Sequence, residues 1–164
     1  MTKTLAIAAF LLAAATTARA GGQANTVGVG VEAELSGLAG LSANYDAGHF
    51  HVGGFFGIND PAGPGDEIEF GARFFYHVHS TAMSDFGLGA GLGIASVSPG
   101  VDNNTLMRRA TRVFLEPAFQ IRLFIAANVA LSFTGGLSFG LEDADGASIK
   151  GQLEGGAGLH YYFF

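Results

Sequence analysis

Gly151-Gln-Leu-Glu-Gly-Gly-Ala-Gly-Leu-His-Tyr-Tyr-Phe-Phe164 closes the chain, and its reading decides the fold. Leu153, Ala157, Leu159, Tyr161 and Phe163 recur at alternate positions, with Gln152, Glu154, Gly156, Gly158 and His160 between them. A period of two is that of a β-strand with one apolar and one polar face. Four aromatics end this strand. A bare aromatic edge of that kind invites aggregation in water. It suits a strand that closes on the first strand of a barrel and faces lipid outward.

The same alternation recurs seven times upstream. It is read over segments near 25–35, 38–46, 49–58, 67–79, 85–97, 110–125 and 129–141. The sixth is the clearest, with Val113, Leu115, Pro117, Phe119, Ile121, Leu123 and Ile125 opposing Arg112, Glu116, Gln120 and Arg122. Pro117 is unwelcome inside a sheet and is read as a bulge. Beyond residue 20 no run of eighteen apolar residues exists for a membrane helix. Dispersed apolar residues leave a closed barrel as the membrane-compatible fold, since lipid tolerates no unpaired backbone groups. The expectation is an all-β, eight-stranded antiparallel up-and-down transmembrane barrel over residues 21–164. A soluble barrel with its apolar parity inward is the rival.

Met1-Thr-Lys3, an apolar run from Leu5 to Ala15 and Ala18-Arg19-Ala20 have the three-part order of a cleaved secretory signal, assigned to residues 1–20. Without Lys3 and Arg19, six basic residues stand against fourteen acidic ones, a net charge of −8. That balance argues against nucleic acid as a partner. The absence of cysteine removes disulfides and thiolate metal sites.

Short connections at Ala47-Gly48, Ser80 to Ser84 and Ala126 to Asn128 alternate with longer ones at Asn59 to Gly65, Ser98 to Arg109 and Glu142 to Ile149. Ser36-Gly37 is the one short connection on the long-loop side. Tyr45, Phe50, Tyr76, Phe86, Tyr161 and Phe163 share outward parity at the short-turn end, as an interfacial girdle does. Phe56, Phe70 and Phe139 are candidates for a second girdle. These features resemble small eight-stranded bacterial outer-membrane barrels of the outer membrane protein A-like superfamily, and the terminal aromatics resemble their C-terminal assembly signal. The resemblance covers the mature chain. It implies a monomer in the bacterial outer membrane, with envelope lipid, lipopolysaccharide and the barrel assembly machinery as partners. That family usually places the final residue on the lipid face. The longer apolar parity here selects Phe163 instead.

Inward parity collects charge. Arg73 and Arg122 are expected to join Glu32, Glu69, Glu116 and Glu154 in one interior network, since buried charges need partners and a guanidinium serves two carboxylates. A polar pore for small solutes is the alternative, with Gly87, Gly89, Gly91 and Gly93 leaving room. His49, His51, His77 and His79 have spacings that could aim at a metal, yet no metal or other cofactor is assigned. No nucleophile–base pair is evident, so the protein is read as non-enzymatic, with a lipopolysaccharide-modifying hydrolase as the remote alternative. Asp143-Ala-Asp145-Gly146 is a calcium-loop fragment lacking the later acidic ligand, and is read as a solvated turn. Arg108, Arg109 and Lys150 fall near the long-loop ends of strands and are expected to meet lipopolysaccharide phosphate. Arg112 has inward parity. The leading function is structural or surface-binding, through the extracellular loops.

Overall fold

The computed structural model describes residues 23–34, 38–59, 65–98, 101–102, 105–106, 110–144 and 146–163; side chains at 101–106 and 141–154 lie outside that description. The assigned signal segment, Arg108, Arg109 and Phe164 also lie outside it. Eight strands close into one antiparallel barrel: β1 (Thr26–Glu34), β2 (Ala39–Asp46), β3 (Phe50–Asn59), β4 (Asp66–Ser80), β5 (Ser84–Ser98), β8 (Ala110–Ala126), β9 (Val129–Ala144) and β10 (Gly146–Phe163). Each pairs with its sequence neighbour, and β10 returns to β1. β6 (Val101–Asp102) and β7 (Thr105–Leu106) form a small hairpin of their own between β5 and β8.

The register gives the stagger. From Gly40, one row runs through Glu32, Gly158 and Ser132 to Arg122; the other runs through Gly57, Glu69 and Ala95 to Arg112. The row thus leaves β8 at Arg112 and returns ten residues further on, at Arg122. A shear of that size tilts the strands by ~40°.

Parity sorts the two faces. Leu159, Tyr161 and Phe163 are exposed on the outside, while His160 and Tyr162, each 1% exposed, point inward. Val27 pairs with Phe163 and seals the seam. Leu41, Phe70, Phe74, Leu92, Leu115 and Ile125 continue the exposed apolar surface around the wall. That is the outward apolar band of a membrane barrel, with the charged parity enclosed.

Two expectations need correction. Glu142 to Ile149 is not a loop: β9 runs to Ala144 and β10 starts at Gly146, with Asp143 opposite Ala147. Backbone pairing makes the strand, so a polar stretch without apolar alternation can remain one. Pro117 makes no bulge. Leu115 opposite Phe139 and Ala118 opposite Gly136 keep one register, while Glu116 and Pro117 drop out of the β9 ladder. The prolyl nitrogen has no proton to donate, and the neighbours on either side hold the alignment. The register shifts fall instead at His77/His79 and Phe124/Ala126, near the short turns.

Glycine facing inward lets large neighbours fill the lumen. The Tyr162 ring lies over Gly28 and the Phe114 ring over Gly93, each where a Cβ would stand. At Gly48, φ is +89°, a left-handed turn residue. Its N–H donates to Asp46 Oδ1 at 2.7 Å, which fixes the β2–β3 turn.

Candidate functional site

The interior charges form two clusters rather than one network. On the long-loop side, Arg73 of β4 donates to Glu32 Oε2 at 2.9 Å and to Glu34 Oε1 at 2.8 Å, with Glu116 Oε2 3.7 Å from its Nε. Gly53 and Gly91 are its register partners on either side. Without side chains there, the guanidinium can lie across the lumen, and Arg73 and Glu116 meet over Gly91. Its carbon lies 5.8 Å from the Phe55 ring centre. Glu69 is buried on the same wall, but no ion pair joins it to Arg73 among the described residues. Glu154 has its side chain outside the description.

On the short-turn side, Arg122 is 1% exposed. Its Nη2 lies 2.6 Å from Asp46 Oδ2, donates to Asp85 Oδ2 at 2.7 Å, and sits 3.1 Å from His77 Nε2. Nη1 donates to Tyr162 Oη at 3.0 Å. Rings of Phe124 and Tyr162 lie 5.4 and 5.9 Å from the guanidinium carbon. Five strands therefore meet on one side chain. Asp85 was reachable from sequence as the register partner of Arg122 on β5, whereas Asp46 required the barrel to close.

The histidines separate. His77 Nδ1–H donates to Gly48 O at 2.7 Å, which leaves Nε2 to accept. His51 Nδ1–H donates to that nitrogen at 2.8 Å, and the rings lie 5.1 Å apart. His49 precedes β3 and is exposed; the bulge after His77 turns His79 outward. The four do not converge. Asp46, His77 and Asp85 do place ligand atoms within 4.8 Å of one another. Arg122 Nη2 contacts all three, so a guanidinium already holds the cation position.

One pairing escaped the sequence reading. Ser42 Oγ and His160 Nε2 are in hydrogen-bond contact, and Glu32 Oε1 lies 3.9 Å from the same nitrogen. Gly30 is the register partner of both Ser42 and His160, so the two side chains meet above a residue that has none. Laying β2, β1 and β10 side by side would have found it. The trio does not make a nucleophilic relay, which needs a carboxylate on the imidazole nitrogen turned away from the serine. Here Nδ1 of His160 has no partner among the described residues, and Ser42 is buried. The contact is an interior hydrogen bond.

Among the described residues, one interior cavity of about 10 Å³ is bounded by Glu34, Arg73, Glu116 and Thr134, and another of about 10 Å³ by Glu32, Asn44, His51 and Gln120. Each is about the size of one water. Beside the glycines at 87, 91 and 93 the space is taken by Phe75, Arg73 and Phe114.

On the outside, Tyr45, Phe50, Tyr76, Tyr161 and Phe163 stand exposed around the short-turn end. Phe86 is half-buried and packs on Phe119 at 6.3 Å. Phe50 packs on Phe74 at 5.5 Å, and Tyr161 meets Phe163 edge to face at 5.1 Å. Of the three cations assigned to phosphate contact, the side chain of Lys150 is outside the description, as are Arg108 and Arg109.

No family model and no curated protein matches the chain. Solved structures do. The N-terminal β-barrel domain of Pseudomonas aeruginosa OprF is 14% identical, covering 85% of this chain and 98% of that one, with a TM-score of 0.59. Neisserial surface protein A is 16% identical over 84% and 96% of the two chains, with a TM-score of 0.48. Ail, the attachment invasion locus protein of Yersinia pestis, is 15% identical over 86% and 100%, with a TM-score of 0.44. The chain thus has the fold of a small eight-stranded outer-membrane β-barrel, matched along nearly the whole of the OprF domain.

Proposed function

We propose that this protein is a non-enzymatic outer-membrane barrel, closed to solutes, that presents a binding surface on its outer side. The observation that carries this reading is the unequal height of the wall. β10 pairs with β1 only up to Gly156 opposite Glu34, then continues with β9 back to Gly146. Residues 146–155 therefore have a paired side toward β9 and, among the described residues, no strand partner on the other. An unpaired edge is a template for an extended peptide, which would add as a further strand. The packed lumen supports a closed interior. In sequence Arg108 and Arg109 precede β8 and Lys150 falls in β10, and contact of these three with lipid phosphate is part of the proposal.

In planar bilayers the reconstituted protein is expected to give no resolved conductance steps at either polarity. Steps that vanish in an Arg73-altered barrel would replace this reading with a channel. Amide exchange tests the edge. Along residues 146–155, amides facing β9 should be protected and the alternate ones should exchange fast. Uniform protection would mean that the edge is already covered.

A further inference from the structure

The low side of the wall has a consequence for the lipid around it, which rests on the membrane reading above. Along a strand tilted by ~40°, each residue climbs ~2.5 Å toward the membrane surface. Among the described residues the outward apolar run is Val27 to Ala33 on β1 and Ala39 to Tyr45 on β2. Either run climbs ~15 Å, whereas barrels of this kind carry an apolar band ~25 Å tall. On β8 the run from Val113 to Ile125 climbs ~30 Å by the same rise. The row linking Arg112, Gly40 and Arg122 places Gly40 midway between the two arginines, at the level of Pro117 on β8. Ala39 is thus level with Glu116 and Tyr45 with Arg122, so the β2 run stops about three residues, ~7.5 Å, below Val113 at the loop end and about as far above Ile125 at the short-turn end.

At the loop end the shortfall falls where the backbone can least bear it. Just above Gly156, β10 has no strand partner on the β1 side among the described residues. If the bilayer kept its full thickness there, the N–H and C=O groups of residues 152–155 turned away from β9 would face hydrocarbon, which lipid-exposed strands do not tolerate. Side chains on this side are also small. Ala43, Gly54 and Ala72 sit in one row as floor of an outward groove of about 870 Å³, rimmed by Phe56 and Phe70. Ala33, Ala39 and Ala157 floor a second, of about 570 Å³. Val31 and Leu41 border both grooves.

We propose that the barrel thins the outer leaflet along β10, β1 and β2, with lipid headgroups and water drawn down to the level of Ala39 and acyl chains tilted into the two grooves. Lipid is the occupant, rather than a second copy, for a geometric reason. Two upright copies related by a twofold axis along the membrane normal would bring the same β10 edge together with both strands running the same way. N–H would then oppose N–H and C=O oppose C=O. Headgroups and water satisfy those groups in any arrangement, and flexible chains fill shallow grooves without a matching knob.

The chain has no tryptophan and no cysteine, so a single introduced reporter is unambiguous. Ala39→Trp and Leu115→Trp would be read separately in phosphatidylcholine vesicles carrying lipids brominated near the headgroup or near the chain end. Leu115 stands slightly higher in the barrel than Ala39. The expected result is inverted: Ala39→Trp is quenched more by the shallow bromine and is reached by aqueous acrylamide, while Leu115→Trp is quenched more by the deep one. Equal, deep quenching at both positions would overturn the proposal and leave the membrane reading intact. Protection of Ala39→Trp from every quencher would overturn it in favour of a covering protein. Loss of lipid quenching at Leu115 would overturn the membrane reading itself. Should Ala39→Trp fail to fold, Ala39→Cys carrying an environment-sensitive dye gives the same comparison.

Discussion

Replacing Arg122 by alanine is expected to destabilise the folded barrel by about 3–5 kcal/mol, the cost of removing one member of a buried ionic cluster. The loss is large because of what remains. Asp46 and Asp85 are buried, and both carboxylates lean on Nη2 of that one residue. Without it two negative charges stay enclosed with no cation near them, and Tyr162 loses its hydrogen-bond donor. Arg122→Lys should recover only part of the stability, since an ammonium is a point charge that cannot reproduce the planar fork reaching both carboxylates, the phenol and the imidazole. Arg122→Met combined with Asp46→Asn and Asp85→Asn should recover most of it, because no uncompensated charge is then buried. Urea unfolding in vesicles, followed by the mobility shift between folded and heat-denatured barrel, measures all three. Arg122→Ala within about 0.5 kcal/mol of the parent, the range of an unremarkable surface change, would mean that the cluster contributes nothing to stability.

The reach of sequence reasoning follows from the same geometry. A single-layer barrel in lipid gives each strand one apolar face, so parity alone placed Val27, Leu92, Ile121 and Phe163 outside and Glu32, Arg73 and Arg122 inside. The strand count and the short turns came with it. Which acid meets which arginine did not, because that depends on a stagger of ten residues fixed only when β10 closes on β1. Arg122 shares a row with Glu32, yet its side chain runs toward the short-turn end, to Asp46 and Asp85. That is why one expected network became two clusters. Alternation also fails where lipid ends. The Glu142 to Ile149 stretch carries no run of alternating apolar residues, and its strands went unread. The histidine pattern misled for a different reason, since a bulge after His77 breaks the period on which a shared face for His77 and His79 relied.

The barrel seam is the other place where one small change should have a large effect. A methyl group at Gly30 would stand 2.0 Å from the main-chain oxygen of Leu159 and 2.8 Å from the His160 ring. The ring can turn aside; the oxygen belongs to the strand that must pair with β1. Gly30→Ala therefore pushes β1 and β10 apart where the barrel closes. It also removes the gap through which His160 reaches Ser42. Its cost should fall at or above the upper end of overpacking, about 3 kcal/mol. Gly54→Ala is the matched control. A Cβ there meets only the oxygen of Gly71, at 3.9 Å, and points into the outer groove. Its effect should stay within about 0.5 kcal/mol. The two variants carry the same added atom and the same loss of glycine flexibility in a strand, so their difference isolates the seam. If Gly30→Ala unfolds at the same urea concentration as Gly54→Ala, the seam has slack that the register does not show, and closure is not limited by the approach of β1 to β10. If it folds slowly but ends equally stable, the methyl obstructs the closing step rather than the closed state, and single-mixing refolding kinetics would show this as a slower final phase.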